Sequence, residues 1–413
     1  MTYRFQTLTA RQFRCFEHLE LTLEPDLTLL FAENGGGKTA LLHALVMGLI
    51  PISVGAPRTA NLNVQRDVRK VVLDERGRRE AAGTCTLTWT ATVGDQPSVT
   101  WSMTANPATT RKSIDTAALL TAIESVRAPG AHWPLFAFYG VERMSRGKAS
   151  TRPDPAHPDR WDGFDGSLDA KQDDSALLTW LLEEVLADTV RRQEGEPEKF
   201  LATAVMDTVA QATPGIVRAW YDPRERCPVV RFETGETASW HELSDGFHVY
   251  MSLVGDIARR AVILNEPDGA DAPSRVEGVV LIDEVDLHLH PRWQRTVLTG
   301  LRTTFPRLQF VVTTHSPQVL SSALNRQVRR LVNGRIQDDG VFVEGRDTNA
   351  ILRELMNTND RAAEGLVLLR NLHDAIDRGD RDTAGKLLSD LETKWGPLDP
   401  ELIRARSLAD WED

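Results

Sequence analysis

The chain has 413 residues, 41% hydrophobic and 26% charged, which is typical of a globular protein with one large core or a core plus a smaller module. Its net charge of −11 excludes a surface that is basic throughout, although a local basic patch stays open. Cys15, Cys85 and Cys227 are too scattered for a disulfide framework or zinc site, and the longest apolar run, broken by His43 and Pro51, is shorter than the ~20 residues of a membrane span. The N-terminus lacks an apolar signal core, so a cytoplasmic protein without a membrane partner is expected.

In chain order, the first half of the sequence predicts strands around one helix. Residues 3–32 alternate loosely between apolar and polar side chains, as short strands do. A glycine-rich segment follows, and then a helix predicted from about Thr39 to about Leu49, which Pro51 should end. Strand-like sequence returns over 71–105 and predicts an antiparallel β lobe.

The second half alternates helices with apolar strands. Dense Pro, Gly, Asp and Arg predict an exposed loop over 145–174. Residues 175–250 predict a helical lobe, and the strands VVLID and QFVVTT follow it. The head is expected to span 1–343 and a helical tail 344–413. The pattern predicts an α/β fold with a mixed sheet, an antiparallel β lobe, a helical lobe and a helical C-terminal tail.

The segment FAENGGGKT, between a predicted strand and a predicted helix, has the pattern of a phosphate-binding loop. In such loops backbone N–H groups bind phosphates, the lysine (Lys38) reaches the β- and γ-phosphates, and the next hydroxyl (Thr39) binds Mg²⁺. Ala32 replaces the first glycine, which costs little if it ends the strand with negative φ. A glycine turn before a core helix is the structural alternative. The residues expected to bind the nucleotide are Asn34, Gly35, Gly36, Gly37, Lys38 and Thr39.

Two later strands end in side chains suited to phosphate chemistry. In GVVLIDEVDLHLHP, Asp283 is placed to hold Mg²⁺ and Glu284 to orient and deprotonate the attacking water. QFVVTTHSP presents His315 at a strand end, where it would sense the γ-phosphate and hold that water. Further upstream, LSDGF offers the hydroxyl of Ser244 and backbone N–H groups near Gly246 at a helix start. An acidic turn, a structural histidine and an ordinary N-cap are the alternatives for these segments taken singly.

Together, and in this order, the motifs resemble those of ABC-type ATPase heads. FAENGGGKT is similar to the Walker A motif, LSDGF to the signature motif, VVLIDE to the Walker B motif, and His315 to the H-loop histidine. The resemblance implies ATP and Mg²⁺ as ligands and a head-to-head homodimer in which Ser244 of one copy acts on the ATP of the other. No glutamine is assigned to the Q-loop. The departures from the family pattern are Ala32, Asp245, Phe247 and, at the D-loop aspartate position, His290.

The N-terminus resembles the SMC- and RecF-like branch, although no heptad run predicts a coiled-coil arm. PLFAFYGVER, DEVDLHLHP and GRDTNAILRELM resemble SMC-like ATPases of bacterial anti-phage systems, above all the ATPase subunits of Septu systems, which also occur as retron effectors. This resemblance implies a separately encoded HNH nuclease partner and leaves contact with DNA or a retron RNA–DNA hybrid open. The residues that carry these similarities include Phe13, Arg14, Phe16, Tyr139, Gly140 and Arg143.

A nuclease centre within this chain is not expected. VFVEGRDTNAIL imitates the start of a Toprim domain through Glu344 and Asp347, but the remaining sequence is short and lacks a strand ending in Asp-x-Asp. His288 and His290 have no further ligand at metal spacing, so packing at the dimer interface is expected of them. The amphipathic tail would either cap the head or dock the partner.

The sequence therefore predicts an ATP-hydrolysing subunit of a bacterial anti-phage complex that dimerises around ATP and regulates an HNH nuclease. Two alternatives stay open: a RecF-like DNA-maintenance ATPase, and a non-hydrolysing ATP-bound scaffold, which Ala32 and the altered signature make conceivable. The DNA-maintenance ATPase would need a basic surface to bind DNA, and one cluster of basic residues could supply it. The other explanation of this cluster is a solvated edge of the antiparallel lobe. That cluster comprises Arg66, Arg69, Lys70, Arg76, Arg78 and Arg79.

Overall fold

A computed structural model describes residues 3–54, 62–72, 79–126, 130–143, 160–337, 341–356 and 361–409 of the chain. The chain divides into two compact units, Met1–Asp347 and Thr348–Asp413. Arg76 and Arg78 of the basic cluster and residues 145–159 of the predicted loop lie outside the described residues.

The strands are β1 (Tyr3–Phe13), β2 (Phe16–Thr22), β3 (Leu27–Ala32), β4 (Lys70–Val72), β5 (Arg79–Ala81), β6 (Cys85–Val93), β7 (Gln96–Ala105), β8 (Lys112–Asp115), β9 (Leu135–Tyr139), β10 (Ile216–Asp222), β11 (Cys227–Phe232), β12 (Thr237–Ser239), β13 (Gly278–Ile282), β14 (Leu308–Thr313), β15 (Val328–Val332) and β16 (Arg335–Gln337). The α-helices are α1 (Lys38–Val54), α2 (Val64–Asp67), α3 (Ala117–Val126), α4 (Ser175–Glu194), α5 (Leu201–Ala212), α6 (Asp245–Leu264), α7 (Ala272–Arg275), α8 (Pro291–Gln294), α9 (Val297–Thr304), α10 (Pro317–Ser321), α11 (Thr348–Glu354), α12 (Ala363–Asp377), α13 (Arg381–Trp395) and α14 (Pro400–Ala409).

The central sheet has the strand order β16-β15-β3-β14-β13-β9. Its neighbours run parallel except for the edge pair β15–β16. Every residue of β3, β9, β13 and β14 is buried, as expected of parallel strands covered on both faces. Because parallel strands end at the same edge of a sheet, the segments that follow β3, β13 and β14 meet there.

Helix α1, which follows the glycine-rich loop, is longer than predicted. It continues to Val54 with Pro51 inside it, so the predicted end near Leu49 is wrong. An interior proline costs about 3 kcal/mol, but apolar side chains cover every side of α1, and burial offsets this cost. Gly48 lets the indole of Trp89 approach, since a Cβ there would lie 2.7 Å from Trp89 Nε1.

The antiparallel lobe is larger than the predicted range 71–105. Its main sheet has the order β2-β1-β6-β7-β8, so the N-terminal hairpin belongs to it. Strand β1 pairs with β6 in a register that sets Leu8 opposite Trp89. Trp89 stacks on Trp101, which stacks on Phe5, and these rings fill the space between this sheet and α1.

The helical lobe holds the long helices α4, α5 and α6 and a small antiparallel sheet, β10-β11-β12. The exposed loop predicted over 145–174 is wrong for part of its described section, because Gly163, Ser167 and Asp174 are buried. Gly163 packs under α6, where a Cβ would lie 2.6 Å from Leu264 Cγ.

The second unit is helical and has its own apolar cluster, formed by α12, α13 and α14 around Leu372, Leu391 and Leu402. The predicted fold class, an α/β head with a mixed sheet, an antiparallel lobe, a helical lobe and a helical tail, is confirmed.

Candidate nucleotide-binding site

The glycine-rich loop turns tightly between β3 and α1. Gly35 and Gly37 have φ of +77° and +98°, which favours glycine at both positions. Ala32 is the last residue of β3, and its φ angle is not positive. Its side chain therefore adds no backbone strain. At Gly36 a Cβ would lie 2.6 Å from Ala32 Cβ, and the glycine there is therefore required by its neighbour.

Lys38 begins α1 with its side chain largely buried. Its Nζ donates a hydrogen bond to the Ala32 carbonyl oxygen at 3.2 Å. Burial lowers the pKa of Lys38, and the carboxylates of Asp283, Glu284 and Asp286 act in the opposite direction. The ammonium thus faces the acidic end of β13, where a lysine can bridge to phosphate oxygens.

Asp283 joins the P-loop helix to two strand ends. Its Oδ2 accepts a hydrogen bond from Thr39 Oγ1 at 2.8 Å, and its Oδ1 accepts one from Thr313 Oγ1 at 2.6 Å. Asp283 is only 2% exposed. A hydroxyl and a carboxylate that converge in this way are hard oxygen donors of the kind that Mg²⁺ prefers, so the residues fit a magnesium ion held beside phosphates.

Glu284 follows in a left-handed backbone conformation, with φ of +50°. Its N–H donates to Thr313 Oγ1 at 2.7 Å, and its carbonyl oxygen accepts a hydrogen bond from Arg143 Nη2 at 2.6 Å. The side chain is half-buried at the same sheet edge as the P-loop. A carboxylate in this place is suited to accept a proton from a water molecule near the phosphates.

His315 lies two residues beyond the end of β14, the strand between β3 and β13. It is half-buried, and the next residue, Ser316, caps α10 by accepting from the N–H groups of Gln318 and Val319. The strand order therefore brings His315 to the same edge as Lys38 and Glu284.

The signature-like segment begins α6. Ser244 is exposed at its N-cap and makes no side-chain capping bond. Gly246 packs against the loop after β13, where a Cβ would lie 2.5 Å from the His288 carbonyl oxygen. A hydrogen bond joins Thr39 to Asp283 directly, whereas Ser244 lies exposed on the surface of the helical lobe.

Two buried carboxylates hold α6, and the sequence did not reveal them. Asp174 Oδ2 accepts from Trp240 Nε1 and is 2.8 Å from His248 Nε2. Asp256 Oδ2 accepts from Tyr139 Oη at 2.8 Å and from Arg260 Nε at 2.7 Å. The contacts of Asp174 with Trp240 and His248, and of Asp256 with Tyr139, join segments that are far apart in the chain. The sequence signal for the Asp256 contact was Tyr139, the tyrosine of PLFAFYGVER, which the resemblance had singled out.

His288 and His290 are both exposed. His290 caps α8, with its Nδ1 accepting from Arg292 N–H at 3.3 Å. Within the described ranges no group of three or more His, Cys, Asp or Glu could hold a metal ion. Packing at an interface therefore stays a prediction for these two residues. Among the described helices, none is long and apolar enough to cross a membrane.

The sheet order, the P-loop and the acidic strand end define a P-loop nucleotide-binding head. Two family models match the chain: an AAA domain over residues 7–191, and an AAA domain described as a putative AbiEii toxin of a type IV toxin–antitoxin system over residues 230–321. The first match includes the glycine-rich loop and the second includes the acidic end of β13.

The curated proteins that this chain resembles include the ATPases of retron and Septu systems. The predicted similarity to these ATPases is therefore confirmed. The chain is 32% identical over 163 residues to the retron Vc95 probable ATPase of Vibrio cholerae, covering 39% of this chain and 31% of that protein. It is 35% identical over 179 residues to the retron Ec83 probable ATPase of Escherichia coli, covering 42% and 33%. It is 36% identical over 127 residues to the Septu protein PtuA of Bacillus mycoides, covering 30% and 16%. The chain spans a third or less of the length of these relatives.

Solved structures with similarity over 81% of the chain include an SMC head bound to the C-terminal winged-helix domain of ScpA, at 14% identity and a TM-score of 0.47, of which 96% is covered. Another is the recombination mediator RecF, at 13% identity and a TM-score of 0.44, of which 98% is covered.

Proposed function

We propose that the chain binds and hydrolyses ATP as the ATPase subunit of a bacterial anti-phage complex. The contact that carries this proposal is the hydrogen bond between Thr39 and Asp283, which joins the P-loop helix to the acidic strand end. A glycine turn before a core helix would not need a buried carboxylate beside its first hydroxyl. The AAA-domain matches and the ATPase-named relatives support the same activity.

In the proposed reaction, the N–H groups of the loop and the Lys38 ammonium bind the phosphates of ATP. Thr39 and Asp283 would hold Mg²⁺, which when bound neutralises charge on the β- and γ-phosphates. Glu284 takes a proton from the attacking water, and His315 holds this water against the γ-phosphate. The roles of these residues rest on their placement at one sheet edge.

The proposed active form is a homodimer with two composite sites. Ser244 is exposed and makes no capping bond, so its hydroxyl is available to the nucleotide of a second copy. Ser244 is the N-cap of α6, so the positive end of this helix would then face the phosphates. ATP would close the dimer, and hydrolysis would reopen it.

The proposed partner is an HNH-type nuclease that this ATPase regulates, as the resemblance to Septu systems implies. The helical tail is the proposed docking region, and DNA or a retron RNA–DNA hybrid is a further candidate ligand. Mass spectrometry of proteins that co-purify with tagged Glu284→Gln protein, expressed from its native locus, tests the partner. A small HNH-type protein in stable ratio supports the proposal, and deletion of residues 348–413 should then release it.

A RecF-like DNA-maintenance function has weaker support. Of the basic cluster that it would need, Arg66 pairs with Asp67 at 2.9 Å and Arg69 lies 3.7 Å from Glu17. These partners reduce the charge that is available to a DNA backbone. DNA-stimulated ATP hydrolysis that is lost on reversal of the cluster would restore this alternative.

The first assay is multiple-turnover phosphate release by the purified full chain with ATP, with and without Mg²⁺, together with the particle mass at each nucleotide state. Sustained turnover that requires Mg²⁺, with a doubled mass in ATP, supports the proposal. Phosphate release below one per chain, with intact ATP retained on the protein, would instead identify the non-hydrolysing scaffold.

A further inference from the structure

Arg143 lies behind the acidic strand end, four residues after the end of β9. Strand β9 is the parallel neighbour of β13, so the two chain segments leave the sheet side by side. Arg143 is 4% exposed. Its Nη1 donates to the Asp283 carbonyl oxygen at 2.5 Å and its Nη2 to the Glu284 carbonyl oxygen at 2.6 Å.

The two carbonyl groups that Arg143 binds belong to a strained turn. Glu284 has φ of +50°, a conformation that costs an L-residue roughly 1–2 kcal/mol. Such a conformation persists only where the surroundings fix it. A guanidinium presents parallel N–H donors in a rigid fork, so it fixes two successive carbonyl oxygens at once, which a lysine ammonium does not do.

The position also places a cation beneath the carboxylates. Burial lowers the pKa of Arg143 to about 10, against the opposing effect of Asp283, Asp286 and Glu284. Arg143 therefore stays charged at neutral pH. Its Nη1 also donates to the Gly140 carbonyl oxygen at 3.2 Å, which ties the fork to its own segment.

We infer that Arg143 is a positioning residue for hydrolysis: its forked hydrogen bonds hold the Glu284 backbone so that the carboxylate points at the attacking water. This inference rests on the proposed ATPase function. Arg143 lies on the main-chain side of Glu284 and acts through it. Loss of the fork should therefore lower kcat while the P-loop still binds ATP.

The chain offers a matched control in Arg160. Its Nε and Nη2 donate to the carbonyl oxygens of Leu264 and Ala131 at 2.7 and 2.8 Å, and it is half-buried. This side chain thus also makes a two-pronged contact with backbone carbonyl groups, but it joins the end of α6 to the segment before β9 and does not touch the acidic strand end. Arg160→Lys therefore measures how the loss of two such arginine–carbonyl hydrogen bonds away from the site changes stability and kcat.

The test compares Arg143→Lys and Arg160→Lys in the full chain, each alone and combined with Glu284→Gln. ATP binding by equilibrium dialysis, phosphate release with radiolabelled ATP over hours, and melting temperature are measured for all. We expect Arg143→Lys to bind ATP within about threefold of wild type and to lose roughly a hundredfold in kcat. In the Glu284→Gln background the same change should cost no further activity, because the group that it positions is already gone. Arg160→Lys should leave kcat unchanged.

Three outcomes would overturn the inference. Wild-type kcat in Arg143→Lys removes the role, and an additive loss in the double variant shows that Arg143 does not act through Glu284. A third outcome, unfolding at the assay temperature or loss of ATP binding by the folded variant, assigns Arg143 to stability or to nucleotide binding instead of to hydrolysis. If the wild-type chain fails to turn over ATP, the proposed function itself is refuted. If the wild-type chain turns over ATP and Arg143→Lys does so at the same rate, only this inference is refuted.

Discussion

Thr39 Oγ1 donates a hydrogen bond to Asp283 Oδ2 at 2.8 Å, across 244 residues of sequence. The contact exists because β3 and β13 flank β14 in a parallel arrangement, so the loops that follow them meet at one edge. Thr313 completes the link by donating to the other carboxylate oxygen at 2.6 Å. The topology of the central sheet therefore brings the parts of the site together.

Glu284→Gln should trap ATP in a closed dimer. Glutamine keeps the shape of the side chain but cannot accept a proton from water, so hydrolysis should fall about a hundredfold or more while ATP binding persists. Phosphate release and particle mass in ATP measure the two effects. Lys38→Ala is the comparison variant, because without the ammonium it should neither bind ATP nor dimerise. Wild-type turnover in Glu284→Gln would refute the assigned base.

Ala32 and Gly36 should behave as a coupled pair. Gly36→Ala would set its Cβ 2.6 Å from Ala32 Cβ and 3.0 Å from the Glu33 carbonyl oxygen, so the loop should open and ATP affinity should fall at least tenfold. Ala32→Gly removes the closer contact and should recover part of that affinity in the double variant. Equilibrium dialysis on the four proteins gives the coupling. Equal losses in the single and double variants would mean that Ala32 does not shape the loop.

The local chemistry of the site was predictable from sequence, because it lies in short motifs. The glycines, Lys38 and Thr39 share one loop, and Asp283 and Glu284 end one apolar strand, so spacing alone identified them as candidates. Their roles in binding and hydrolysis remain predictions. Ala32 also behaves as expected, since it ends β3 without a positive φ.

The supporting contacts were not predictable, because each depends on which strands become neighbours. Arg143 reaches Asp283 and Glu284 only because β9 pairs with β13, and the sequence does not state that pairing. The sequence likewise does not state that the N-terminal strand β1 pairs with β6. Pro51 misled the prediction of α1 because local propensity takes no account of the apolar surroundings that keep the helix intact.

Ser244 should act on the nucleotide of the partner copy. Ser244→Arg places a bulky cation at the exposed start of α6 and should abolish hydrolysis, while each P-loop still binds ATP. Mixed with Glu284→Gln protein, it should form heterodimers with one intact composite site, and random mixing should restore roughly a quarter of the wild-type activity. Phosphate release by the mixture, compared with each variant alone, is the measurement. An inactive mixture, with heterodimers shown by mass, would contradict action in trans.

Asp256, on the buried face of α6, should be a major source of stability. Burial raises its pKa, but the charges and hydrogen bonds of Arg260 and Arg259 outweigh this effect and hold the pKa well below its usual value. Asp256→Asn leaves two buried arginines without their counter-charge, so the free energy of unfolding should fall by about 3–5 kcal/mol at pH 7. Asp207→Asn, at an exposed position on α5, is the control and should change little.

The pH dependence of this difference has a definite sign. A carboxyl group with a lowered pKa in the folded state stabilises fully above its unfolded pKa, about 3.9, and loses this contribution as the pH falls toward the folded value. The gap between wild type and Asp256→Asn should therefore be constant near neutral pH and shrink below about pH 4. Urea unfolding at several pH values measures it. A gap that widens in acid would mean that the native carboxyl is held protonated, contrary to its two arginine contacts.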